Sequence, residues 1–71
     1  MTKPEISDLK HRADILFCCL TNALTASRDA GDSEETISSL TTAKRLAFET
    51  TVACGRLQAG IDREEVNNNG A

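Results

Sequence analysis

The side chains with the most chemistry to offer are three cysteines, Cys18, Cys19 and Cys54, and a single histidine, His11. Zinc takes three or four converging Cys, His or carboxylate ligands, so these residues are the raw material of a metal site. Their spacing does not suit one. His11 stands seven and eight residues before the cysteine pair, about 10–12 Å along a helix at 1.5 Å per residue, and no C-x-x-C or i, i+4 His/Cys pair occurs. Neighbouring cysteines on a helix diverge by about 100° and do not bridge. An odd number of cysteines in a short chain closes no self-contained disulfide framework. The expectation is reduced, structural thiols in a cytoplasmic protein, with a redox or intermolecular-disulfide role and a metal site as weaker alternatives. Cys54 is expected opposite roughly Asp8, on the order of 15 Å from Cys19 along the helix axis.

His11 has Asp8 and Asp14 three residues to either side, the ordinary neighbours of a solvated histidine on a charged helix. The chain has no Gly-rich phosphate loop and no paired carboxylates across a cleft. Two helices alone enclose no cavity of the several hundred Å³ that substrates occupy. Neither enzyme activity nor a cofactor is expected.

The elements that must carry these residues are two helices. Ile6, Leu9, Ala13, Leu16, Leu20 and Ala23 follow one another at intervals of three and four, which places them on one helix face. Phe17 and Leu24 flank that stripe. A second stripe of Leu40, Ala43, Ala47, Thr50, Cys54, Leu57 and Ile61 repeats the rhythm, widened by Ile37 and Phe48. Between them, Asp29-Ala30-Gly31-Asp32-Ser33 supplies the punctuation of a tight loop, with Gly31 suited to the left-handed end of a helix.

Thr2, Pro4 and Glu5 read as a capping box with proline in the first turn. Asp32 reads as the second N-cap, with Glu35 at the capping-box spacing and Glu34 beside it near the positive end of the helix dipole. Gly60 reads as a stop. The chain is thus expected to be all-α: an antiparallel helical hairpin over 1–61, with helices at about 4–28 and 33–59 and a disordered polar tail over 62–71, the alternative being that Ile61 and Val66 extend the second helix by a turn.

The second helix carries an apolar arc, from Leu46 and Leu57 round to Phe48 and Val52, wider than one neighbour can bury. A lone core in a chain of 71 residues supplies only about 3–5 kcal/mol. Both points predict that two hairpins pair into a four-helix bundle, a homodimer, in which Ile6, Leu9, Leu16, Phe17, Leu20, Leu24, Ile37, Leu40, Ala47, Phe48, Cys54 and Leu57 pack in the core or the dimer contact. Ile15 and Cys18 project away from the stripe and, with His11, form a candidate surface for a protein partner.

The net charge is −3 at pH 7, so the overall field does not favour nucleic acid or anionic lipid. Its apolar runs fall short of the roughly 20 residues that span a bilayer, and the amino terminus lacks a signal peptide's apolar core. Contact with nucleic acid would require a local patch drawn from Lys3, Lys10, Lys44, Arg45 and Arg56.

Met1-Thr2-Lys3 with Glu5 and Leu9, the similar helix lengths, and a turn containing Asp29 and Asp32 resemble the Rop family, small RNA-binding proteins whose hairpins dimerise into four-helix bundles. The resemblance implies RNA contacts through exposed basic and polar residues and a Phe on the first helix, with Lys3 and Lys10 in the basic parts. Phe17 instead falls toward the packing stripe, and the cysteine pair has no counterpart in that pattern. The leading expectation is a non-enzymatic, cytoplasmic interaction or regulatory protein acting as a homodimer; the alternative is a Rop-like nucleic-acid-binding regulator.

Overall fold

A computed structural model describes the backbone of residues 1–70 and the side chains of residues 1–65. It contains two helices, α1 (Lys3–Asp29) and α2 (Glu34–Gly70), folded back on each other as a rod of 60 × 15 × 14 Å.

The start of α1 is held as its sequence suggests. Glu5 N donates to Thr2 Oγ1 at 3.4 Å, and Glu5 Oε1 accepts from Thr2 N at 3.1 Å and from Thr2 Oγ1 at 2.7 Å. The reciprocal pair satisfies two backbone donors that a helix end leaves free.

The far end of α1 closes in a Schellman motif. Gly31 takes φ 71°, the only positive φ in the described chain, while its N–H donates to Arg28 O and that of Asp32 to Ser27 O. A side chain disfavours that conformation, which is why glycine occupies it. The loop differs from expectation in one respect. Ser33, not Asp32, caps α2: Thr36 N donates to Ser33 Oγ at 3.3 Å. Asp32 is engaged elsewhere, accepting from the Ser27 hydroxyl at 2.7 Å, so its carboxylate ties the loop to α1.

Contact between the helices follows a seven-residue register. With positions lettered a to g, Lys10, Phe17 and Leu24 on α1 and Ile37, Lys44, Thr51 and Gln58 on α2 are a. Ile6, Ala13, Leu20 and Ser27, then Leu40, Ala47, Cys54 and Ile61, are d. Every one of these residues is buried or half-buried. This a/d seam is the signature of two helices packed at a shallow angle. Of the six buried residues, five (Ile6, Ala13, Ser27, Ala47 and Cys54) are at d, and only Leu24 is at a. Apart from Ile6 these d side chains are small, which lets the two backbones approach closely.

The stripes read from sequence are rotated from this seam. Leu9, Leu16 and Ala23 are exposed on α1, as is Leu57 on α2. All four hold g positions. The sequence stripes alternate d with g because g is more apolar than a, where Lys10, Lys44 and Gln58 interrupt the hydropathy.

Residue numbers in the cross-helix pairs Lys3–Asp62, Asp14–Thr51 and Phe17–Phe48 each total 65. The register sets Cys54 opposite position 11 rather than Asp8. Helix α2 also passes Gly60 instead of ending there, since a glycine stop requires a left-handed φ that Gly60 lacks. Residues expected to be a disordered tail over 62–71 are helical as far as Gly70, Ala71 lying outside the described residues. Lys3 draws this stretch alongside α1 by pairing with Asp62 and, at 3.6 Å, with Glu65.

Leu24→Ala is expected to cost about 2–5 kcal/mol, as for a buried leucine, whereas Ile15→Ala on the exposed outer side should change stability by less than about 0.5 kcal/mol. Gly31→Ala should cost about 1–2 kcal/mol through its backbone alone, because a Cβ there meets nothing within 4 Å. Denaturant unfolding of the three variants checks all of these.

Candidate interaction surfaces

In an antiparallel pair of helices, the e positions of both lie on one side of the seam and the g positions of both on the other. The hairpin therefore has two flanks, and they differ in chemistry.

The e flank is bridged by polar and aromatic contacts. Thr51 Oγ1 donates to Asp14 Oδ1 at 3.1 Å. The rings of Phe17 and Phe48 stand 6.0 Å apart at 49°, and Lys44 Nζ lies 5.3 Å from the Phe17 centroid. That tilted pair and the cation over a ring face are both favourable geometries. At the open end of the hairpin, the Lys3 contacts to Asp62 and Glu65 close the same flank.

The g flank is different. Leu9, Leu16 and Ala23 from α1 share it with Thr50 and Leu57 from α2, and Leu46 lies alongside at c. Leu16, Leu46 and Leu57 are each more than half exposed. Thr50, half-buried, belongs with them because its hydroxyl donates to Leu46 O at 2.9 Å, spending its donor on the helix. Thr21, Thr25 and Thr41 donate to the carbonyl four residues back in the same way. The charges bordering this flank are Arg12 and Asp8 on α1, which pair with each other at 3.0 Å, and Glu49 and Arg56 at f on α2, each next in sequence to a g residue.

The remaining surface is the outer side of α1, where His11, Ile15 and Cys18 are all exposed. Cys19 is exposed and Cys54 buried, and all three thiols are free. Among the described residues no group of three or more His, Cys, Asp or Glu could hold a metal, and no helix is long and apolar enough to cross a membrane.

The residues expected to pack divide three ways. Ile6, Leu24, Ala47 and Cys54 are buried in the hairpin; Phe17, Leu20, Ile37 and Leu40 are half-buried; Leu9, Leu16, Phe48 and Leu57 are exposed. The five basic candidates do not form one patch. Lys3 is engaged by two carboxylates, Lys10 and Lys44 are half-buried in the seam, and Arg45 and Arg56 lie farther round α2. Sequence reasoning missed the seven-residue register, whose signal is that a and d alternate around the seam while g, usually charged in a two-stranded coil, is apolar here.

No family model, curated protein or solved structure matches the chain.

Two charged groups at the open end shift in opposite directions. The Thr2 side chain, followed by the Thr2 backbone N–H, holds the Glu5 carboxyl below its usual 4.5. The hydrogen bond to Asp62, then the Asp62 and Glu65 charges, hold the Lys3 ammonium above its usual 10.5. A lowered carboxyl stabilises the fold above its unfolded value, and the contribution is lost as pH falls through the folded one. A raised ammonium contributes fully below its unfolded value and loses that contribution as pH rises through the folded one. In an NMR titration Glu5 should therefore protonate below 4.5, and Thr2→Ala should bring it back toward that value while increasing amide exchange in the first turn of α1.

Proposed function

We propose that this chain is a non-enzymatic, cytoplasmic protein-protein interaction or regulatory protein that works as a homodimer, two hairpins making a four-helix bundle. The observation that carries the reading is the mismatch between core and surface. Among the described residues, Ile6 and Leu24 are the only large aliphatic side chains that are buried, whereas Ile15, Leu16, Leu46 and Leu57 are half exposed or more. A two-helix core of this size gives a few kcal/mol at best. A second hairpin adds the missing apolar burial, at about 25 cal/mol per Å².

The outer surface of α1 suits a further protein partner, because Ile15 and Cys18 there offer an apolar contact beside His11. Free thiols on an exposed helix fit a reducing compartment. The nucleic-acid reading draws on Lys44 beside the Phe17–Phe48 pair and on Lys10, one heptad before Phe17. It is weakened by the loss of Lys3 to Asp62 and Glu65 and by the net negative charge. Binding through phosphates would fall steeply with salt, and an apolar contact would not.

Sedimentation equilibrium at micromolar concentration should return twice the chain mass, and a cooperatively folded monomer would overturn the proposal. Ile15→Asp should leave both circular dichroism and the dimer mass unchanged, since its side chain lies away from the seam. Collapse of the dimer in that variant would move the self-contact to the outer side of α1.

A further inference from the structure

We infer that the occupant of the g flank is a second copy of this chain, packed g flank to g flank, and that the e flank stays on the outside of the dimer. The inference rests on the homodimer reading and adds which surface closes it.

The register supplies the first argument. A helix in a two-stranded coil needs one apolar seam, a/d, and is commonly charged at e and g. Here both helices carry a second stripe, d/g, and the two g rows lie on one side of the hairpin. A helix in a four-helix bundle touches two neighbours, and a/d beside d/g serves that need, with d at the centre. The d positions are also where burial within the hairpin is most complete.

Charge supplies the second. The e flank carries Asp14, Lys44, Asp62 and Lys3, already joined across the seam or set over a ring. Burying them would strip water from charged groups at considerable cost. The middle of the g flank contains Leu16, Leu46, Leu57 and a threonine whose hydroxyl is already bonded, so a second copy with the same surface meets it without desolvating an unpaired donor. A two-fold dimer requires such a self-complementary patch, since each surface meets its own twin.

Area supplies the third. The chain exposes 5210 Å², whereas a compact monomer of 7.6 kDa exposes about 4,300 Å². The excess is about 900 Å² on that scaling, a surface reserve large enough for the area of about 800 Å² that one partner gives up in an interface of standard size.

The test compares the flanks. Leu57→Asp and Leu16→Asp should each weaken the dimer by about a hundredfold or more, through a charge placed in an apolar contact, while Val52→Asp on the other side of α2 should leave the dissociation constant within about threefold. Sedimentation reads both. Because a dissociated hairpin loses the packing its partner supplied, p-benzoylphenylalanine in place of Leu16 or Leu46, in the otherwise unaltered chain, gives a second readout: illumination should yield covalent dimers. The same group in place of Val52 should not. A dimer indifferent to Leu16 and Leu57, with crosslinks from position 52, overturns this inference and leaves the homodimer standing. A folded, monomeric wild-type chain overturns the homodimer reading and this inference with it.

Discussion

The structure depends on close approach of two helices along a row of small side chains. Ala13 and Ser27 on α1 face the α2 row containing Ala47 and Cys54, and each of these is almost fully buried. Small residues give up apolar area but bring the backbones near, and close approach makes the a residues beside them reach across the seam. The Phe17–Phe48 contact and the Thr51–Asp14 hydrogen bond both depend on that distance. A larger side chain at Ala13 or Ala47 would push the helices apart along the whole seam, since rigid rods separate as units.

The ends of the helices do a different job, which is to fix direction and register. The Schellman turn at Gly31 and the Ser27–Asp32 hydrogen bond reverse the chain within a few residues. The Lys3 contacts to Asp62 and Glu65 hold the open end. Exposed ion pairs of this kind contribute little to stability. Their use here is to favour one alignment of α2 over a slip along α1, and a slip would misplace every d residue at once.

Helix number, the loop and the first cap were legible in the sequence because each rests on local chemistry: Thr2 with Glu5, Gly31, and the change of pattern between Asp29 and Ser33. The face was harder to read. Lys10, Lys44 and Gln58 are polar yet half-buried in the seam, as long side chains with apolar stems can be. A pattern reading weights residue type, so it turned each helix toward its more apolar g side. The second cap went to Asp32 because Asp and Ser both cap helices and nothing local distinguishes them; the Ser27 hydroxyl, brought in by the turn itself, decides between them. Past Gly60 the helix runs on because that glycine keeps a helical φ, and the Lys3 contacts there, some sixty residues away in sequence, are a feature no local pattern records.

The three thiols occupy very different settings, and this gives the molecule a chemical time scale. Cys18 and Cys19 face water on α1, while Cys54 lies in the row of small residues between the helices. A thiol reagent reaches the first two in the closed hairpin and the third only when the helices part. Alkylation of Cys54 is thus gated by opening, and its rate under fast-reacting conditions is the rate at which the seam comes undone. Cys18, on the side of α1 away from the g flank, marks how fast the reagent itself acts. One chain, without any added label, carries both the clock for its own opening and the reference against which that clock is read.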